Sequence, residues 1–521
     1  MHLNGRVRGL LQRQAHVIGA CLLALVLRLP AVFNGLPYIR HPDEPVIYSL
    51  AHRMVAERTL LPGEYTYPSL HFELNAVVHG VVDAIGRLFG TWHSIDDLDL
   101  LPTRPGAAAA LNSEPWVAAR LVTVAVALVG VALVVVLATR LSASRRWGAV
   151  AGALAAISGI GISTGSVVAP DALAGTTTMA VIVMAVRLHG PGAVAADRRW
   201  ALLTGAMLGL AVGSKYNSAV VALLIVSAVA LAPATRRPNA TQWAQLAAAA
   251  GVTFLLSTPG ALFEAHRFVS AIRGVGTHYS QGHAGYEGDS LATNLGSLWR
   301  SDGLAMLLAV AAVALHRTRA VLLLGGWVVL YLAFTSVPEV HFERNLTPLL
   351  GAVAVLGALG AQRLWKVARV PRPLPRRGML VAVCLVALMP PAWLHTRDRF
   401  NRFTYDLTDH EGEARRWLID QLPVGAAVLT DIYTPWLDAE RYRLTAGSML
   451  AKASPARVAE FATRYDAVVF TSDGSGRFTA DRDRYPSQAA VVDTMRRDAC
   501  DMARYEDAQG HWIEVYFQRC P

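Results

Sequence analysis

Apolar residues run along this chain in long blocks separated by short polar stretches. The clear blocks are residues 16–36, 116–139, 147–165, 171–189, 200–214, 217–233, 242–259, 302–316, 319–337, 346–365 and 378–395. A helix needs roughly 20 apolar residues to cross the hydrocarbon of a bilayer. The pattern therefore predicts an α-helical polytopic membrane protein with about eleven spans. One further segment, residues 70–90, is different. It holds His71, Glu73, Asn75, His79, Asp83 and Arg87 among its apolar positions. That many polar groups facing lipid would be costly. The segment predicts an amphipathic helix lying at the interface or packed into the bundle.

Basic residues orient the spans. Arg6, Arg8 and Arg13 precede the first block, and no small-residue cleavage site follows it, so an uncleaved first span is expected. Further basic stretches are Arg140 to Arg146, Arg198 and Arg199, Arg236 and Arg237, Arg317 and Arg319, and Arg363 to Arg377. With 70–90 left out of the count, every one falls on the same side. The positive-inside rule makes that side cytoplasmic, with the N-terminus inside and the C-terminus outside. The external segments are then 37–115, 166–170, the turn at Lys215, the loop 260–301, the turn 338–345 and the tail 396–521.

Composition agrees. Hydrophobic residues make up 53% of the 521 positions and charged residues only 17%, too apolar for an ordinary soluble enzyme of this length. The net charge of +10 is spent on short interblock runs, which argues for cytoplasmic loops and against nucleic acid as a partner. Residues 1–395 form the expected membrane domain and 396–521 a small extracytoplasmic α/β domain. In that tail AAVLTDIY, DAVVFTS and HWIEVYFQ read as strands, and EARRWLIDQL and PARVAEFATRY as amphipathic helices. The tail carries no recognisable catalytic motif. Cys21 and Cys384 lie in apolar blocks. Cys500 and Cys520 lie in the tail and are available for a disulfide if it is outside the cytosol.

The candidate chemistry gathers in the external segments. Asp43 and Glu44 follow the first span directly; adjacent carboxylates at a membrane boundary point to function, or else to capping of the next helix. Asp171 opens a span after Pro170. Lys215 interrupts a long apolar stretch, where it can pair with an anionic group or simply snorkel. Arg344 enters another span, with Glu343 and Glu339 as alternative partners. The polar loop from Thr277 to Gly288 brings His278, Tyr279, His283 and Tyr286, and suits a lid over a site. Two acids and two cations at one boundary suit a lipid-linked phosphate donor, with cations on the phosphate and a carboxylate as general base.

These features, in this order, resemble the GT-C superfamily of membrane glycosyltransferases, in its protein O-mannosyltransferase and aminoarabinose-transferase-like branch. The matching pieces are Asp43-Glu44, Tyr67-Pro68-Ser69-Leu70, Ala119-Arg120-Leu121, Pro170-Asp171, Gly209 to Tyr216, and the His278-to-Gly288 loop. Ser69 departs from a second proline usual there. The resemblance implies a polyprenyl-phosphate sugar donor used at the outer face of a bacterial cytoplasmic membrane, with inversion at the anomeric carbon. The acceptor is a glycan, lipid or protein. Asp43 takes the position of the catalytic acid, Glu44 its neighbour and Asp171 a second acid. Lys215 and Arg344 are the expected donor-phosphate ligands, with Tyr67 and the His/Tyr loop around the substrate. No cofactor is certain. A divalent metal would have Glu73, His278 and His283 as ligands, without tight ligand spacing. A transporter or lipid-linked-sugar flippase is the alternative, but it would place ionisable groups near the midplane of the membrane rather than at one boundary. An anchor for an active tail is a third reading.

Overall fold

The computed structural model describes residues 2–39, 41–98, 108–368, 410–446, 464–507 and 510–518. The chain begins with α1 (His2–Val32), α2 (Asp43–Ala56) and α3 (Leu70–Phe89). Then follow α4 (Glu114–Ser142), α5 (Arg145–Ile157), α6 (Gly159–Thr164), α7 (Asp171–Val186), α8 (Arg198–Ser214), α9 (Val221–Leu231) and α10 (Ala240–Ser257). The membrane part closes with α11 (Gly260–Phe263), α12 (Ala265–Gln281), α13 (Ser290–Leu315), α14 (Arg319–Thr335) and α15 (Thr347–Ala368). Every predicted span up to 346–365 is helical, with 147–165 divided between α5 and α6 at Ser158; 378–395 lies outside the described residues. The segments Gln14–Val32, Glu114–Ser142, Ser290–Leu315 and Glu343–Val367 are each long and apolar enough to cross a membrane, and shorter apolar helices surround them. The protein is a multi-pass membrane protein.

The helix α3 matches the amphipathic segment almost to the residue. Its polarity is inverted relative to a helix of a water-soluble protein. His71, Asn75 and His79 face inward and are buried, while Val77, Val81, Ile85, Leu88 and Phe89 are exposed. That is the arrangement expected of a helix whose outer face meets lipid.

The segment 260–301 departs from expectation. It is not a loop: α11, α12 and the first turns of α13 occupy most of it, and only about 282–289 is irregular. The reason is visible in the pattern. α12 is strongly two-faced, and such a helix needs no continuous apolar run to form at an interface. The helix α13 begins at Ser290, with Asp289 capping it through the Ala292 N–H. Asp302, where the predicted span began, marks a kink with non-helical φ −134° and ψ 22°. The buried Asp302 carboxylate accepts from Ser158 Oγ at 3.0 Å and Ser301 Oγ at 2.5 Å, so hydroxyls from two helices satisfy it there.

Small residues let the helices approach closely. Gly205 and Gly209 of α8 lie against the backbone of α10 at Leu246 and Ala250, and Gly360 of α15 lies against the Leu308 carbonyl of α13. The main apolar core runs between α4, α5, α7, α8, α9, α13, α14 and α15.

The tail forms a five-stranded sheet in the order β4-β3-β5-β7-β6, with β3 (Ala427–Thr430), β4 (Arg443–Ala446), β5 (Ala467–Thr471), β6 (Asp501–Glu506) and β7 (Trp512–Phe517). A two-stranded ribbon, β1 (Tyr38–Ile39) with β2 (Ala108–Ala109), precedes it in the first loop. The strand β3 is parallel to both β4 and β5, and β7 is antiparallel to β5 and β6. Successive side chains alternate between two cores. Val428, Val469 and Val515 pack with Leu418 of the helix His410–Gln421; Leu429, Val468 and Phe470 pack with Val492 and Met495 of the helix Pro486–Asp498. The three predicted strands and the first predicted helix are present, and the second, at 455–465, lies almost wholly outside the described residues. The expected boundary at 395/396 also lies there. Cys500 is disulfide-bonded, while Cys520 and Cys384 are outside the described residues.

The packing sets a test. A Cβ at Gly360 would collide with the Leu308 carbonyl, whereas nothing lies within 4 Å of one at Gly326. Gly360→Val should therefore lower the thermal midpoint of the detergent-purified protein by several degrees, and Gly326→Val should leave it nearly unchanged. Equal effects would show that the α13–α15 approach is not limiting.

Candidate active site

The N-terminal ends of α2 and α7, the C-terminal end of α8 and the turn before α15 converge at one end of the bundle, beside α12. They enclose a cavity of about 740 Å³. Asp43, Tyr67, Asp171, His278, Tyr279, His283, Tyr286 and Arg344 all line it. Groups more than 300 residues apart in sequence thus share one space.

Asp43 is held by one edge. Its Oδ2 accepts from Arg344 Nη1 at 2.6 Å and from Tyr67 Oη at 3.1 Å. Its Oδ1 takes no hydrogen bond among the described residues and is left to the cavity. Burial raises the Tyr67 phenol well above its ordinary value, so the phenol keeps its proton and donates. One oxygen of Asp43 is therefore fixed and the other is free.

Asp171 is almost wholly buried. Its Oδ1 accepts from Lys215 Nζ at 2.6 Å, and its Oδ2 has no partner among the described residues. A buried carboxylate oxygen left unpaired is costly unless something comes to it. Lys215 also donates to Asn345 Oδ1 at 2.8 Å, and Asn345 Nδ2 donates to Tyr279 Oη at 3.1 Å. Lys215 does not line the cavity. It stands behind Asp171 and spends its charge there, which differs from the expected phosphate clamp.

Glu44 departs further from expectation. Adjacent side chains on a helix point in different directions, and Glu44 turns away from the cavity into the bundle. Arg120 grips it through Nε to Oε1 at 2.9 Å and Nη2 to Oε2 at 2.7 Å, and the Val168 N–H donates to Oε1 at 2.8 Å. Arg120 Nη1 donates to the Val32 and Asn34 carbonyls at 3.0 and 2.9 Å. Burial would raise the Glu44 carboxyl, but Arg120, His41 and the Val168 N–H bring it below its ordinary value. No free edge remains for substrate.

The His/Tyr loop is clamped. His278, His283, Tyr286 and Phe342 form an aromatic cluster at the cavity rim, with centroids 4.7 to 5.7 Å apart for the contacting pairs. Glu287 is bound by Arg484 Nε at 2.9 Å and Tyr485 Oη at 2.6 Å. Arg484 also reaches Glu339 at 2.9 Å. The tail domain therefore holds this loop down. It also contributes Tyr433 and Arg477 to the cavity wall, residues that no motif in the sequence marked. Phe342 and Asn345 lie within two residues of Arg344, so Arg344 marked their neighbourhood in the sequence.

The candidate metal ligands do not assemble. His278 and His283 are neighbours, but Glu73 lies on α3 and does not line the cavity. Among the described residues, no three His, Cys, Asp or Glu side chains are grouped to hold an ion.

Comparison with known proteins follows this geometry. Residues 106–260 match the family model described as dolichyl-phosphate-mannose-protein mannosyltransferase. The whole chain superposes on ArnT from Cupriavidus metallidurans at TM-score 0.52 and 16% identity, covering 98% of this chain and 100% of that one. The fold is shared with ArnT. ArnT bound to undecaprenyl phosphate matches at TM-score 0.50. The Archaeoglobus fulgidus oligosaccharyltransferase matches at 0.52 and 11% identity, over 96% of this chain and 74% of that one. No curated protein sequence matches. The fold expected from Asp43-Glu44, Tyr67 to Leu70, Ala119 to Leu121, Pro170-Asp171, Gly209 to Tyr216 and the His278-to-Gly288 loop is the one found.

The Glu44–Arg120 pair sets a second test. Arg120→Ala leaves a buried carboxylate uncompensated and should cost about 3–5 kcal/mol of stability. It should be read as loss of monodisperse full-length protein. The double substitution Glu44→Gln with Arg120→Gln should recover part of that loss. A single variant as stable as the native chain would remove the pair from its structural role.

Proposed function

We propose that this protein transfers a sugar from a polyprenyl-phosphate donor to an acceptor hydroxyl, with inversion and with Asp43 as general base. The observation that carries this reading is the one-edged grip on Asp43. Arg344 and Tyr67 fix Oδ2 while Oδ1 faces a 740 Å³ cavity. A base needs its carboxylate aimed at the proton it takes, and this arrangement aims it. The match of the fold to a protein bound to undecaprenyl phosphate supports a lipid phosphate as the donor group.

The chemistry closes on this chain's own groups. Asp43 Oδ1 takes the proton of the acceptor hydroxyl as its oxygen attacks the anomeric carbon from the face opposite the phosphate. The bond between that carbon and the phosphate oxygen breaks, and the lipid phosphate leaves with the electron pair. Negative charge grows on the phosphate, so the guanidinium of Arg344 in the same cavity favours departure. The proton on Asp43 then passes to solvent or to the leaving phosphate. Asp171, with Oδ2 unpaired, is placed to orient an acceptor or sugar hydroxyl, and Lys215 keeps it ionised. Glu44 and Lys215 are positioning residues in this reading. The positive-inside pattern puts the cavity on the outer face of a bacterial cytoplasmic membrane, with the acceptor a glycan, lipid or protein.

Asp43→Asn should lower transfer by about 10² to 10⁴-fold with expression and thermal midpoint unchanged. The measurement is glycolipid and glycoprotein profiling of a deletion strain carrying either version at equal protein level. Full restoration of the profile by Asp43→Asn would overturn the base assignment.

A further inference from the structure

The tail domain has its own crevice, and it faces the cavity. In the order β4-β3-β5, the chain leaves β3 to one side and later returns to the other. With all three strands parallel, this makes a topological switch point between β3 and β5. In open α/β sheets, ligands bind beyond the carboxyl ends of the strands at such a point. Here those ends are Asp431 to Tyr433 after β3 and Ser472 to Arg477 after β5. Tyr433 and Arg477 are the two tail residues in the cavity wall.

This corner is tightly built. Asp431 is buried and accepts from the Ser475 N–H, which ties the end of β3 to the loop after β5. Thr471 Oγ1 donates to the Ile432 carbonyl at 2.8 Å. Tyr433 holds φ at +60°, a conformation that side-chain-bearing residues rarely adopt and that concentrates at functional sites. Gly285, at φ +82°, lets the Arg477 stem lie against the His/Tyr loop.

Arg477 is held flat and yet left unneutralised. Its guanidinium lies over the rings of Tyr286 and Tyr433, at 4.9 and 5.4 Å. Nη1 donates to His283 Nε2 at 2.8 Å. Burial and the nearby cation push His283 down to about 4, so it is neutral and accepts. No carboxylate reaches Arg477 among the described residues. Of the two arginines that line the cavity among the described residues, Arg344 is paired with Asp43 and Arg477 with no carboxylate. A pre-oriented guanidinium with unused donors in a cavity wall is built to receive an oxyanion.

We infer that Arg477 is an oxyanion-binding residue of the cavity, so that the tail domain completes the substrate site through its strand-end crevice. The group bound is a phosphate, supplied by the donor lipid or by another anionic ligand of the cavity. This rests on the reading of the cavity as the site of sugar transfer.

The test uses the purified full-length protein in detergent. Binding of undecaprenyl phosphate, undecaprenol and inorganic phosphate is measured for the native chain, Arg477→Gln and Arg477→Lys. Arg477→Gln should weaken undecaprenyl phosphate roughly tenfold or more and leave undecaprenol unchanged. That result assigns the donor's phosphate. Unchanged undecaprenyl phosphate with weakened inorganic phosphate assigns an oxyanion from another source. Arg477→Lys keeps the charge but not the planar fork, and should lose less affinity than Arg477→Gln. If Arg477 only packs the loop, the lysine variant will lose as much as the glutamine variant, or neither phosphate ligand will respond, and the inference fails. A native chain that does not bind undecaprenyl phosphate would instead overturn the donor assignment, while the inorganic phosphate arm would still report on Arg477.

Discussion

The buried pair of Glu44 and Arg120 fixes the geometry of everything near the cavity. One guanidinium holds both oxygens of a carboxylate and two carbonyls at the end of α1. The same carboxylate takes the Val168 N–H. Asp43 is the neighbour of Glu44 in sequence, and Asp171 follows Val168 by three residues. Both cavity acids are therefore placed by a network that never touches the cavity. A buried pair of this kind contributes little net stability compared with apolar packing, yet breaking it is costly. Its value is in fixing α1, α2, α4 and the turn before α7 in one arrangement.

The two acids are treated in opposite ways. Asp43 is paired with Arg344, which itself lines the cavity. Asp171 is paired from behind by Lys215, which is buried and bridged to Asn345. Both residues line the same cavity. Such division of roles between two carboxylates follows from what sits behind each one.

The tail domain is part of this site. Arg484 and Tyr485 grip Glu287, and Arg415 lies 4.4 Å over the Tyr38 ring. These contacts seat the sheet's strand ends over the cavity. The loop from Gly282 to Asp289 gains its order from the tail, which explains why its own sequence, rich in glycine and polar residues, suggested a free lid.

The sequence by itself determined the spans up to 346–365, the amphipathic nature of α3, three of the five tail strands and the acids and cations at one boundary. These are legible because lipid and the strand period impose simple local patterns of polarity. Asp43, Asp171 and Arg344 stood out for the same reason, since charge at a membrane boundary is expensive. Tertiary structure alone decided which of these groups is free. Glu44 and Lys215 look like site residues in the chain and prove to be spent on Arg120 and Asp171. Arg477 looks like a surface arginine and proves to face the cavity. α12 was hidden because its apolar face is only a stripe. Pairing depends on distances between residues hundreds of positions apart, and no local pattern of polarity encodes them.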